Sequence, residues 1–193
     1  LNAPADVVAT VSDTNLDYWR LEIAPLATGV FREIGFGRDP IAASILASLN
    51  PDALANGAWL LRLSARDMGG RESEALRLFE IDTVAKPGAL ILTENDGSAN
   101  LGGISIDLVR IYDSLRSGET GLLGDGWRLA LIEAGISSNV LPTGNEAAGL
   151  FNPYRDDTRL YLSAPDGRSL RFDFDPTQLT LGGVDAYLSS WTS

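Results

Sequence analysis

Apolar residues recur at every second position through most of this chain. That period admits β-strands and excludes amphipathic helices, whose apolar stripe returns about every 3.6 residues. The clearest run is residues 59–66, where Trp59, Leu61, Leu63 and Ala65 share one face and Arg62, Ser64 and Arg66 the other. Val7, Ala9 and Val11 alternate in the same way, and Trp19, Leu21 and Ile23 oppose Tyr18, Arg20 and Glu22. Pro25 ends the second run by removing a ladder donor. A further strand is expected over residues 30–36, among Gly29, Gly35 and Gly37.

Residues 41–49 are ambiguous: Ile41, Ile45, Leu46 and Leu49 fit a helical stripe, and residues 45–49 also fit a short strand. The strand reading is preferred because the run leads into the Asn50-Pro51-Asp52 turn, with residues 51–54 as one helical turn. Asn56-Gly57 and Asp67-Met68-Gly69-Gly70 bracket the Trp59 strand with turn chemistry, and residues 75–81 supply the return strand of a hairpin. Short strands with turns every ten or so residues describe a β-sandwich over residues 1–86.

Lys86-Pro87-Gly88 breaks the pattern and reads as a linker to a second domain, residues 87–193. There, residues 90–93 form a strand and Asn95-Asp96-Gly97 a turn. Ile104, Ile106 and Leu108 share one face and Val109 and Ile111 the other, so the strand is buried on both sides near its end or bulged. Tyr112 has the parity of Ile104 and Ile106, which predicts a ring at least half buried. Trp127, Leu129 and Leu131 alternate with Arg128 and Ala130, and Gly124 and Gly126 leave room for the Trp127 ring or make turns. Asp113 and Ser114 are turn residues able to bond backbone amides. Residues 135–152 are loop-rich. A hairpin of residues 158–163 and 169–174 turns at Pro165-Asp166-Gly167, with Leu170, Phe172 and Phe174 inward and Arg171 and Asp173 outward. Asp175-Pro176-Thr177 begins another turn, and residues 179–191 form a last strand or a short helix. The class is therefore all-β, with Trp59, Tyr112, Trp127 and Phe172 as structural anchors.

Composition narrows the chemistry. There is no histidine and no cysteine, which removes Ser-His-Asp catalysis, thiol catalysis, thiolate metal sites and disulfides. The formal net charge of −11 repels phosphate backbones, so no nucleic-acid partner is expected. No apolar run approaches the roughly 20 residues of a membrane span. The chain begins at Leu1 without a charged, then apolar, leader, and reads as a piece of something longer.

Asp13-Thr14-Asn15-Leu16-Asp17 has the first ligand positions of an EF-hand loop, but Tyr18 and Ala24 stand where the loop needs its glycine and its bidentate acid. A looser calcium site from Asp13, Asn15, Asp67 or Asp96 is weighed against their use as turn formers. No carboxylate pair is singled out by spacing for glycoside hydrolysis, and Gly102-Gly103 lacks the lysine and helix of a phosphate loop. Lys86, the sole lysine, is a candidate for an amide cross-link to an Asn or Asp side chain, against the plainer reading of a solvated linker residue.

Two resemblances follow from particular words. Residues 54–67 (LANGAWLLRLSARD) resemble the final hairpin of bacterial Ig-like, fibronectin-III-like modules, in which a leucine and a turn precede an aromatic strand and an Ala-x-Asp-x-x-Gly corner. The aromatic in those modules is usually Tyr, bonded back to the turn; with Trp59 here, such a bond has to come from the indole N–H. Arg110-Ile111-Tyr112-Asp113-Ser114, Gly124-Asp125-Gly126-Trp127-Arg128-Leu129 and Pro165-Asp166-Gly167-Arg168-Ser169-Leu170-Arg171-Phe172 resemble, in order, three words at the start of Rhs/YD-repeat proteins. This resemblance implies an Ig-like sandwich followed by the β-hairpin-rich domain that opens an Rhs shell. The tandem YD repeats are missing from these residues, so they build no closed shell alone.

The expected function is non-enzymatic: a structural, adhesive or scaffolding segment of a large secreted or surface-exposed bacterial Rhs-like protein. Its partners would be other domains of the parent chain and a protein or glycan surface, with no cofactor beyond the calcium considered above. The alternative is a carbohydrate-binding β domain, in which Tyr18, Tyr154 and Trp191 stack on sugar faces.

Overall fold

The computed structural model describes residues 1–83, 86–130, 132, 135–163 and 169–193. It is all-β, built from antiparallel sheets with only three short 310 turns among the described residues. The chain divides into two compact units, Leu1–Gly88 and Ala89–Ser193. Among the described residues, no helix is long and apolar enough to cross a membrane.

The first unit is sandwich-like. Strands β1 (Ala5–Val11) and β4 (Ile41–Leu49) form a two-stranded sheet. Opposite it lies a four-stranded sheet of β2 (Leu16–Pro25), β3 (Arg32–Gly37), β5 (Gly57–Asp67) and β6 (Glu72–Ile81), in the order β3-β2-β5-β6. The chain thus changes sheet after β1, after β3 and again after β4. The two-residue period sets what lies between the sheets: Trp19, Leu21, Ile23 and Trp59 are buried, and Val7, Ile34 and Leu61 join two clusters into one core. Residues 45–49 are indeed strand, although β4 begins already at Ile41, and Pro51–Ala53 is the short turn, capped by the Asn50 side chain on the Asp52 amide. Gly37 is required by packing, since a Cβ there would sit 2.6 Å from the Trp19 ring.

In the second unit, β7 (Ile91–Leu101), β8 (Ile104–Asp113) and β11 (Trp127–Leu129) form one sheet in the order β11-β8-β7, and β9 (Thr120–Gly121) and β10 (Gly124–Asp125) a minimal hairpin. A four-stranded sheet orders β12 (Gly135–Ser138), β13 (Arg159–Ser163), β14 (Ser169–Phe174) and β17 (Trp191–Thr192). β15 (Thr177–Leu181) and β16 (Val184–Leu188) pair separately.

Several expectations for this unit are corrected. Asn95-Asp96-Gly97 is not a turn: β7 runs through it, and the register shift between Asn95 and Gly97 marks a bulge. The reversal comes at Gly102-Gly103, whose φ values of +62° and +91° suit the mirror-image two-residue turn that matches strand twist. Ile104 belongs to no core and is 68% exposed, whereas Ile111 on the opposite face is 1% exposed. Strand β8 is thus buried on both faces only near its end, where Tyr112 is half-buried. Residues 135–138 form a strand rather than a loop. Residues 179–191 form neither one strand nor a helix, because Gly182-Gly183 turns β15 back into β16.

The β13–β14 pairing is as expected, with Leu160 opposite Phe172. Its inward face is not so simple. Leu170 is exposed and Phe172 half-buried, while Tyr161, on the face shared with Arg171, is fully buried. Leu131 and the Pro165-Asp166-Gly167 turn with Arg168 lie outside the described residues.

Candidate functional site

One end of the sandwich gathers three of the four residues considered for calcium. The β5–β6 turn closes with the Asp67 amide donating to the Arg71 carbonyl (3.0 Å), while the Asp67 carboxylate accepts from the Arg71 amide (2.9 Å) and its Nε (3.0 Å). These bonds, led by the backbone amide, hold the Asp67 carboxyl below its usual range. Asn15 contributes its carbonyl to the Met68 amide (2.8 Å), and its own amide donates to Asp13 Oδ1 (2.7 Å). Asp13 and Asp67 line one cleft, whereas Asp96 lies in the second unit, 2.6 Å from Arg110 Nε. Among the described residues no three acidic side chains gather closely enough to hold a metal ion. The acids at this end make the turns.

That cleft, about 570 Å3, follows from unequal sheets. Thr10, Val11 and Ser12 of the β1 region form one wall, and Leu63 and Ala65 of β5 with Ser73 and Ala75 of β6 form the floor. Two strands do not cover four, so Glu72–Leu78 stays exposed on both faces.

The outer face of the four-stranded sheet holds aromatic and guanidinium groups in alternation. Tyr18 stacks on Phe36 at 5.9 Å between ring centroids, with Arg20 over Tyr18 and Arg38 over Phe36. Further along, Arg62 lies 3.7 Å from the Phe31 ring centroid and donates to Glu22 Oε2 from Nε (3.0 Å) and from its NH2 (2.9 Å). The outward parity of Glu22 was legible in the sequence; its burial beneath Arg62 was not.

In the second unit, Tyr112 and Trp127 are cross-strand partners with ring centroids 5.4 Å apart, and Arg110 sits over the indole. Gly126 makes room for Tyr112 rather than for Trp127: its φ is +73° and a Cβ would lie 2.7 Å from the tyrosine ring. Asp113 Oδ1 accepts from the Leu115 amide (2.9 Å), capping the short turn Ser114–Arg116, and Ser114 Oγ accepts from the Leu90 amide (2.8 Å). These groups serve turns.

A second cleft, about 510 Å3, opens among Val140, Leu141, Phe151 and Tyr154. The loop around it is held by Thr143 and Glu146, whose carboxylate accepts from the Thr143 amide and hydroxyl, while Thr143 Oγ1 accepts from the Asn145 amide. Backbone amides keep the Glu146 carboxyl below its usual range. Tyr154 packs on Phe174 and Trp191, at 5.6 and 5.4 Å.

Lys86 Nζ donates to the Pro51 carbonyl at 2.8 Å. Burial pushes its pKa down, against the pull of Asp52 and Asp82. The lysine is therefore a partly buried cap on the first unit rather than a freely solvated linker residue.

Comparison with protein-family models, with curated proteins and with solved structures finds no match to this chain.

Proposed function

We propose that the chain is a non-enzymatic structural and interaction segment of a larger, secreted or surface-exposed bacterial β-protein of the Rhs type. In this reading an Ig-like sandwich leads into the hairpin domain that opens the repeats. The observation that carries the reading is the apolar surface of the β7–β8 and β15–β16 hairpins. Leu101 and Ile104 are 63% and 68% exposed, and Val184 and Tyr187 68% and 65%. Leu101 and Ile104 pair across the β7–β8 turn and so make one apolar spot, of the kind that a neighbouring hairpin would cover. The turn bonds of Asp67, Asp113 and Ser114 support the same reading, because polar groups that suit a reaction centre are here tied into the backbone.

Hydroxyl-radical footprinting of the purified chain and of the parent protein on or released from cells tests this. Leu101, Ile104, Val184 and Tyr187 become protected in the parent; equal reactivity in both overturns the reading. Tandem YD repeats encoded after Ser193 support the Rhs assignment, and a different continuation overturns it.

The carbohydrate-binding alternative draws on the Tyr154–Phe174–Trp191 cluster, in which Tyr154 is 53% exposed. Glycan-array binding that is lost on Tyr154→Ala selects that reading.

A further inference from the structure

We infer that the first unit binds an extended polypeptide segment of another chain, which adds as one strand to the free edge of β1 and lies over β6. The inference rests on the geometry of the sandwich and not on the function proposed above.

Among the described residues, strand β1 pairs with β4 alone, so its other edge offers backbone groups to the cleft. None of the backbone bonds outside the strand ladders involves Ala5–Val11 among the described residues. Natural edges are commonly blunted by lysine or proline, and β1 (ADVVATV) has neither. Beneath the vacant position, Ser73, Ala75 and Arg77 of β6 have the parity of the core residues Phe79 and Ile81, yet all three are exposed. A strand beside β1 would cover them. The floor is made of small side chains, Ala65, Ser73 and Ala75, with Leu63 beside them.

The space also selects the occupant. A strand added to β1 would run about 4.8 Å from it, over the exposed Ser73, Ala75 and Arg77 of β6. At the far end Leu1 pairs beside β6, its nitrogen donating to the Glu80 carbonyl and its carbonyl accepting from the Asp82 amide. The other end opens on Asp13, whose carboxylate holds the Asn15 amide; Glu72 and Glu74 beside it lie 3.9 Å from Arg66 and Arg62. Arg66 and Arg71 at this mouth are already paired with Glu72 and Asp67. The fitting segment therefore has small aliphatic residues at alternating positions and a basic residue at the end that passes Asp13. Backbone pairing supplies affinity and the alternate side chains supply selectivity.

The test uses the full chain and a short synthetic peptide of alternating valine and threonine with lysine at each end, N-methylated along one edge so that it can pair only once. Saturable binding with slowed amide exchange in Ala5–Val11 is expected. Ala75→Trp, which fills the floor from an exposed position, weakens binding by about tenfold or more at an unchanged melting temperature. Asp13→Lys weakens the lysine-ended peptide and not an uncharged one. Unchanged exchange in β1 at high peptide concentration overturns the proposal. So does equal binding of a peptide methylated on both edges, or an affinity indifferent to both substitutions.

Discussion

The indole N–H of Trp59 donates to the carbonyl of Ala55 at 2.9 Å, tying the first residues of β5 to the turn that delivers them. Ala55 follows Leu54, which is buried in the same cluster as Trp59, Ile23, Leu49 and Ile81. One side chain therefore fills the core at the top of the sandwich and also satisfies a carbonyl just outside the strand. A buried indole N–H left without a partner would be costly, so the bond and the packing depend on each other.

Replacing Trp59 separates the two contributions. Trp59→Phe keeps most of the ring and strands the Ala55 carbonyl, at about 1–3 kcal/mol; Trp59→Ala adds a cavity and costs about 3–5 kcal/mol. Urea denaturation of the first unit measures both, and a Phe variant as stable as the parent would show that the bond is immaterial.

Ala43 has a φ of +46°, at the bulge where β4 carries an additional residue opposite Thr10 of β1. Its amide donates to Thr10 Oγ1 at 2.9 Å, which holds the bulge in place. A glycine adopts this conformation without the Cβ strain, so Ala43→Gly is expected to stabilise the unit by about 0.5–1 kcal/mol despite the added freedom of the unfolded chain. Thermal unfolding detects the rise in melting temperature.

Gly126 cannot be enlarged without displacing Tyr112. Gly126→Ala is expected to destabilise the second unit by about 1–3 kcal/mol, from the positive φ and the ring contact together. In a Tyr112→Leu background the ring contact is lost, while the backbone strain and the 3.2 Å approaches to the Asp113 carbonyl and Ser117 Cα remain. A double-mutant cycle on melting curves reads the coupling.

The depressed pKa of Asp67 makes the β5–β6 turn sensitive to acid. The folded state holds the ionised form, so its stabilising contribution is fully present above the unfolded carboxylate value near 3.9 and is lost as pH falls through the lower folded value. Asp67→Asn should therefore lower the melting temperature at neutral pH, with the difference from the parent shrinking toward zero in acid. A difference that is constant with pH would assign the effect to something other than the charge.

The repeated Leu-Gly-Gly words, Leu101-Gly102-Gly103-Ile104 and Leu181-Gly182-Gly183-Val184, both specify tight two-residue hairpin turns. Two adjacent glycines free of Cβ can both take positive φ, so that information is entirely local. By the same logic Asn95-Asp96-Gly97 promised a turn, but pairing of β7 with β8 on both sides of it converts the segment into a bulge. Long-range pairing overrode a local preference there, because a bulge absorbs the odd residue while the ladder continues.

Alternation along a strand was determined by the sequence alone, and with it the all-β class, the β2 and β5 core faces and most of the turns. A period of two separates two faces but does not say which one another layer covers, so Ile104 and Ile111, Leu170 and Tyr161 could be assigned only by the tertiary structure. The meeting of Asp13 with Asp67 at one cleft is likewise tertiary, since it follows from the long-range pairing of β2 with β5 that sets Leu16 opposite Asp67. So is the cleft beside β1, which exists because two strands face four, a difference that no single strand records.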